Sequence, residues 1–180
     1  MNKARYIGVF GRRNSGKSSL INRLSGEEAA IVSDTPGTTT DPVKKRMEIF
    51  GLGPTVIVDT AGIDDEGDLG AKRVEKSKQI VKQIDLAILL YTNNSFEYFE
   101  KELLKLFKKE GIPFILLHNQ SDMIPMDRDV AMELTTKYKC DVLEFSCASL
   151  DEEEQGIMVE NLVSLIIKNI EGSLFVKRGM

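Results

Sequence analysis

The 180-residue sequence holds one histidine and two cysteines, and that scarcity removes whole classes of chemistry. Cys140 and Cys147 form no CxxC pair and His118 is the lone imidazole, so the ligand spacing of a zinc site or an iron-sulfur cluster is missing. Both thiols read as ordinary semi-buried packing residues. Long apolar runs are missing as well. The longest, 86–90 and 114–117, are of strand length and far below the ~20 residues that span a bilayer. The first residues, 1–5, lead straight into a strand pattern without the apolar core of a signal peptide, which makes a cytoplasmic address the expectation. Nor is positive charge in excess: 24 Lys and Arg against 28 Asp and Glu leave a net charge of -4, a poor balance for a broad grip on nucleic acid.

What is present suffices for one core: 42% of residues are hydrophobic, and the length suits a single domain. That domain is expected over 1–170; residues 171–180 lose periodicity and read as a linker or cut end. Apolar, β-branched runs alternate with amphipathic stretches, the pattern of an α/β fold with helices on both faces of a mostly parallel sheet. Six strands are predicted, over 6–10, 44–50, 55–59, 86–91, 114–119 and 141–146. Helices are predicted over 17–24, 73–84, 96–110, 127–139 and 156–170. The link Gly51-Leu-Gly-Pro54 is too short for a crossover helix, so the strands beside it should pair antiparallel. In the last helix Ile157, Leu162, Leu165, Ile166 and Ile170 should form one buried stripe. The acidic run 151–154 reads as a solvated loop insertion. Two stretches, 25–41 and 60–72, exceed ordinary loop length and are rich in Gly, Thr and acidic residues, as functional or mobile loops are.

The first strand runs into Gly11-Arg-Arg-Asn-Ser-Gly-Lys-Ser18 and then a helix, so GxxxxGK[ST] stands in the setting of a phosphate-binding loop. A glycine-rich turn lets backbone N–H groups converge on a polyanion at a helix N-terminus. The candidate nucleotide contacts are therefore Gly11, Arg12, Arg13, Asn14, Ser15, Gly16, Lys17, Ser18 and Ser19. Lys17 would reach the β and γ phosphates and Ser18 would ligate Mg²⁺, while Arg12 and Arg13 lie near the phosphates or face solvent. Asp59-Thr-Ala-Gly62 ends the third strand, where Asp59 can support the ion and the Gly62 N–H can meet a γ-phosphate. Between these motifs, Gly37-Thr-Thr-Thr-Asp41 offers a further hydroxyl for Mg²⁺.

Two later segments read as base-recognition loops: Asn119-Gln-Ser-Asp122, with Asn119, Gln120 and Asp122, and Ser146-Cys-Ala148, with Ser146, Cys147 and Ala148. The Asp122 carboxylate can accept from both N1–H and the N2 amino group of guanine. Adenine would leave it unpaired at a cost of a few kcal/mol. His118, beside this loop, reads as a packed residue.

In this order the motifs resemble the TrmE-Era-like branch of the P-loop GTPases, which have a Ras-like G domain. Residues 32–42 and 59–67 most resemble the HydF family of iron-only (FeFe) hydrogenase maturation factors. The resemblance implies slow hydrolysis of GTP to GDP and phosphate, with Lys17, Thr39, Gly62 and Asn14 as the catalytic set. It makes Thr39 the Mg²⁺-binding threonine and Asn14 a ligand of K⁺, completed by the carbonyls of Ser33 and Thr35. It also implies a homodimer formed through the two long loops, and contact with other hydrogenase maturation proteins through further domains. Two positions depart from the pattern. Gln120 replaces a lysine that packs over the guanine ring, and Ile63 stands where many GTPases place a water-orienting glutamine; Asp65, Glu66 and Asp68 read as a solvated loop. Two rivals remain: a nucleotide-gated scaffold with negligible turnover, and an RNA-directed GTPase of tRNA modification or ribosome assembly, disfavoured by the acidic charge.

Overall fold

The structure, a computed structural model, describes residues 3–26, 43–60, 70–148 and 151–177. In chain order the elements are β1 (Arg5–Phe10), α1 (Lys17–Ser25), β2 (Val43–Ile49), β3 (Gly53–Asp59), α2 (Gly70–Val81), β4 (Leu86–Tyr91), α3 (Tyr98–Glu110), β5 (Phe114–His118), α4 (Arg128–Tyr138), β6 (Asp141–Glu144) and α5 (Glu152–Lys177). The strands form one six-stranded sheet in the order β2-β3-β1-β4-β5-β6. Every residue of β4 and β5 is buried, as expected for central strands covered on both faces.

All neighbouring strands run parallel except β2 and β3, whose antiparallel register pairs Val43 with Asp59 and Ile49 with Gly53. The link between them closes with the Leu52 N–H donating to the Ile49 carbonyl at 3.0 Å. Gly51 sits there at φ 91°, a left-handed conformation that a side chain would strain.

Side chains alternate across the sheet with period two. Ala87, Leu89 and Tyr91 join the cluster covered by α2, α3 and α4; Leu86, Ile88 and Leu90 join the opposite one, covered by α1 and α5. Each fully buried aliphatic side chain is worth about 1.5–3 kcal/mol, so the two faces hold the sheet rigid. Parallel pairing then brings the C-terminal ends of β1, β3, β4, β5 and β6 to one edge, where open α/β sheets hold their ligands.

The last helix departs from expectation at both ends. It starts at Glu152 rather than at 156 and continues past Ile170 to Lys177. The acidic run 151–154 is therefore not a loop insertion. Asp151 Oδ1 accepts from the Glu153 N–H at 2.9 Å, and Glu152, Glu153 and Glu154 fill the first turn, where negative charge suits the helix dipole. Leu162, Ile166 and Ile170 do face the core and Leu165 packs against it, but Ile157 is 53% exposed. It lies five residues before Leu162, about 140° around the helix, and so off the stripe. Among the described residues no helix is long and apolar enough to cross a membrane.

Candidate functional site

The loop between β1 and α1 is fixed from three directions. Gly16, the N-cap of α1, has φ 95°, and a Cβ there would collide with the Asn119 amide. The first turn of α1 carries no acidic residue, so the dipole at that end stays uncompensated and favours an anion. Lys17 is buried, and its Nζ donates to the carbonyls of Gly11 at 2.7 Å and Arg12 at 3.1 Å, holding the ammonium across the loop. Ser18 and Ser19 are exposed on that first turn. Asp59 is half-buried at the end of β3, in register with Val9 of β1, and the next residue is fixed by Thr60 Oγ1 donating to the Val9 carbonyl at 2.6 Å.

The segment after β5 reaches back to the same loop. Asn119, 1% exposed, donates through Nδ2 to the Ser15 carbonyl at 2.9 Å. Gln120, at φ 59°, donates through Nε2 to the Asn14 carbonyl at 3.0 Å. Asp122 is exposed, and its Oδ1 accepts from Ser146 Oγ at 2.7 Å, which leaves the carboxylate acceptor capacity for a ligand. Ser146 Oγ also accepts from the Ala148 N–H at 3.3 Å, and its carbonyl takes the Gln155 amide at 2.7 Å. Arg23 from α1 holds the Cys147 carbonyl at 3.0 Å. The residues predicted from Gly11 to Lys17, from Asn119 to Asp122 and from Ser146 to Ala148 thus form one bonded network at one sheet edge.

Two buried polar atoms in this network, Ser15 Oγ and Asn119 Oδ1, have no hydrogen-bond partner among the described residues. An unpaired buried polar atom costs about 1–3 kcal/mol, so each calls for a physical explanation, of which a bound ligand or ion is one.

Arg12 does not point at the phosphate position. Its guanidinium turns to α3, where Nε meets Glu100 Oε2 at 2.7 Å and Nη2 meets Oε1 at 3.2 Å, and it lies 5.3 Å from the Phe99 ring centroid. That hydrogen bond raises the Arg12 pKa above its ordinary value, against the opposing effect of burial. Glu100 belongs to no motif of the sequence; its one signal there is its place three residues after the N-cap Glu97, as the N3 member of the α3 capping box. Arg13 and Asn14 are exposed, Asn14 at φ 66°.

His118 is fully buried and structural, as its sequence context predicts. Its Nε2 accepts from the Asn94 N–H at 3.2 Å, and Nδ1 lies 2.7 Å from Ser121 Oγ, an arrangement that suits the neutral ring protonated at Nδ1. Burial lowers its pKa. Cys140 and Cys147 are half-buried, and burial pushes both thiols up to about 11. Among the described residues no group of three or more His, Cys, Asp and Glu could hold a metal ion. The predicted residues Ser33, Thr35, Thr39 and Gly62 lie outside the described residues, as do Ile63, Asp65, Glu66 and Asp68.

A family model described as 50S ribosome-binding GTPase matches residues 6–120. The chain is 43% identical over 129 residues to the tRNA modification GTPase MnmE of Bacillus subtilis, covering 70% of this chain and 28% of that protein. It is 33% identical over 171 residues to the MnmE of Caldicellulosiruptor saccharolyticus, covering 93% of this chain and 36% of that one. The chain thus spans only about a quarter to a third of the length of these relatives. Among solved structures it is similar to Aquifex aeolicus Era bound to GDP and AlF4⁻, with a TM-score of 0.63, 26% identity, and 87% of this chain and 56% of that one covered. It also shares its fold with the FeoB G-domain of Methanococcus jannaschii, with a TM-score of 0.65, 18% identity, and 94% and 99% covered.

Proposed function

The chain belongs to the 50S ribosome-binding GTPase family, and from that membership we propose a GTP-hydrolysing switch in which the loop 11–19, with the Arg12 side chain turned away to Glu100, holds the phosphates and Asp122 reads the base. The observation that carries this reading is the bond from Asn119 to the Ser15 carbonyl, which makes the phosphate loop and the base loop one rigid receptor. A single nucleotide then satisfies both ends, and its binding energy is not spent on bringing them together.

In this reading Lys17 leaves the carbonyls of Gly11 and Arg12 for the β and γ phosphates, so the ammonium already held across the loop needs little reorganisation. Ser18 and Asp59 are hard oxygen donors at adjoining element ends, the donor chemistry magnesium takes, and Thr39 completes that set by resemblance. Magnesium bound there would supply charge neutralisation at the β and γ oxygens. Asn14, with the carbonyls of Ser33 and Thr35, would hold K⁺; its exposed amide on the loop rim supports that role. Gly62 would contact the γ-phosphate, and Ile63 in place of a water-orienting glutamine implies slow turnover without a partner.

For the process served, the named relatives lend most support to RNA-directed work of the tRNA-modification kind. A second reading, assistance to hydrogenase maturation, is favoured by the wording of residues 32–42 and 59–67. Loss of the gene would strip modified nucleosides from tRNA under the first reading and remove hydrogenase activity under the second. The biochemical test is phosphate release from GTP and ATP with Mg²⁺, in K⁺ and in Na⁺ buffer. Faster release from GTP, and in K⁺, is expected. Equal rates for both nucleotides would overturn base reading by Asp122, and equal rates in both salts would remove the role given to Asn14.

A further inference from the structure

The phosphate loop has a second anchor that the nucleotide chemistry does not require. On one side it is held at Asn14 and Ser15 by the base loop. On the other, a crevice of about 230 Å³ separates it from the β4–α3 connection, lined by Arg12, Ser15, Asn93, Ser95, Glu97 and Glu100 among others. The Arg12–Glu100 pair bridges that crevice with a bidentate contact at 2.7 and 3.2 Å.

The two partners sit in unequal surroundings. The Arg12 side chain is 52% exposed, whereas that of Glu100 is 1% exposed. Glu100 Oε1 also accepts from the Glu97 N–H at 2.8 Å, so the carboxylate is fixed by the start of α3 before it grips Arg12. The Arg12 carbonyl, in turn, accepts from the Ser15 N–H at 3.1 Å and from Lys17 Nζ at 3.1 Å. A continuous chain of contacts therefore runs from the first turn of α3, through one arginine, to the lysine ammonium in the phosphate loop.

We infer that Glu100 is a positioning residue for the nucleotide site: by pinning Arg12 it preorganises the phosphate loop, and it couples nucleotide affinity to the position of α3. The inference rests on the GTPase reading above. A merely structural pair would hold α3 to the sheet without changing ligand affinity, whereas a positioning pair lowers the ordering cost that binding must meet.

The test is a double-mutant cycle on GDP affinity, measured by calorimetry with Mg²⁺ on the parent, Glu100→Gln, Arg12→Ala and the double variant, with the melting temperature of each taken without nucleotide. Glutamine at Glu100 keeps the capping-box bond, so α3 should still form, and circular dichroism checks this. Arg12→Lys, which keeps the charge and loses the bidentate fork, serves as a second variant should Arg12→Ala not fold. Each single variant should weaken GDP binding about fivefold, with the double variant no weaker than either single one, as expected for two residues acting through one contact. Lowered melting temperatures with GDP affinity unchanged within about twofold, or losses that multiply in the double variant, would overturn the inference. Failure of the underlying reading shows separately, as a parent protein that binds no GDP.

Discussion

The side-chain amide of Asn119 donates to the main-chain carbonyl of Ser15 at 2.9 Å, joining the loop after β5 to the loop after β1. Asn119→Ala removes that donor and leaves a loop carbonyl unpaired, a cost of about 1–3 kcal/mol. The expected outcome is a melting temperature lower by several degrees and GDP and GTP affinities reduced together by about tenfold, since both ends of the receptor loosen. Loss of stability with unchanged affinity for both nucleotides would separate the two loops functionally.

Ser146 Oγ donates to Asp122 Oδ1 at 2.7 Å and so aims the carboxylate assigned to guanine. Ser146→Ala should leave the fold in place and weaken GDP binding by about tenfold to a hundredfold, the worth of one charge-assisted hydrogen bond. Titration with GDP and with pyrophosphate separates the effects: the variant should lose affinity for GDP and keep it for pyrophosphate, which has no base.

His118 is buried beside Tyr91, their ring centroids 5.0 Å apart, and burial lowers its pKa below the ordinary value. The unfolded chain then binds this proton more readily than the folded one. The stability linked to the neutral ring is fully present above the unfolded value, near 6.5, and is lost as pH falls through the depressed folded value. Urea midpoints measured between about pH 7 and pH 5 should fall, and should fall less in His118→Gln.

Cys140 and Cys147 have thiols pushed up to about 11 by burial. Because the thiolate is the reactive form, alkylation by iodoacetamide at about pH 8 should be much slower in the native protein than in urea. Rates equal in both states would place the thiols in open solvent.

The architecture is legible in the sequence because its signals are local. An unbroken apolar run of strand length marks 86–91 as a central strand, and the short link from Gly51 to Pro54 forces the hairpin of β2 and β3. That the loops after β1 and β5 would meet at one sheet edge is legible because each follows a strand of the same parallel sheet. What escapes reading depends on distant partners. The sequence puts Arg12 near the phosphates because nothing beside it announces Glu100, 88 positions further along. Gln120 reads as the loss of a lysine stem, yet its amide ties to the Asn14 carbonyl. The run 151–154 suggests a loop because acidic residues signal solvent, although they equally favour the first turn of a helix, which they form here.

The central claim, that the Lys17 ammonium and the amides of the loop around it grip a guanine nucleotide, is tested most directly by calorimetric titration of Mg·GDP into the parent protein and into Lys17→Ala. The parent should bind one GDP per chain, and Lys17→Ala should show affinity lower by at least about a hundredfold, the loss of a buried charge-assisted contact. No heat from GDP with the parent, or equal affinity in Lys17→Ala, would contradict the account.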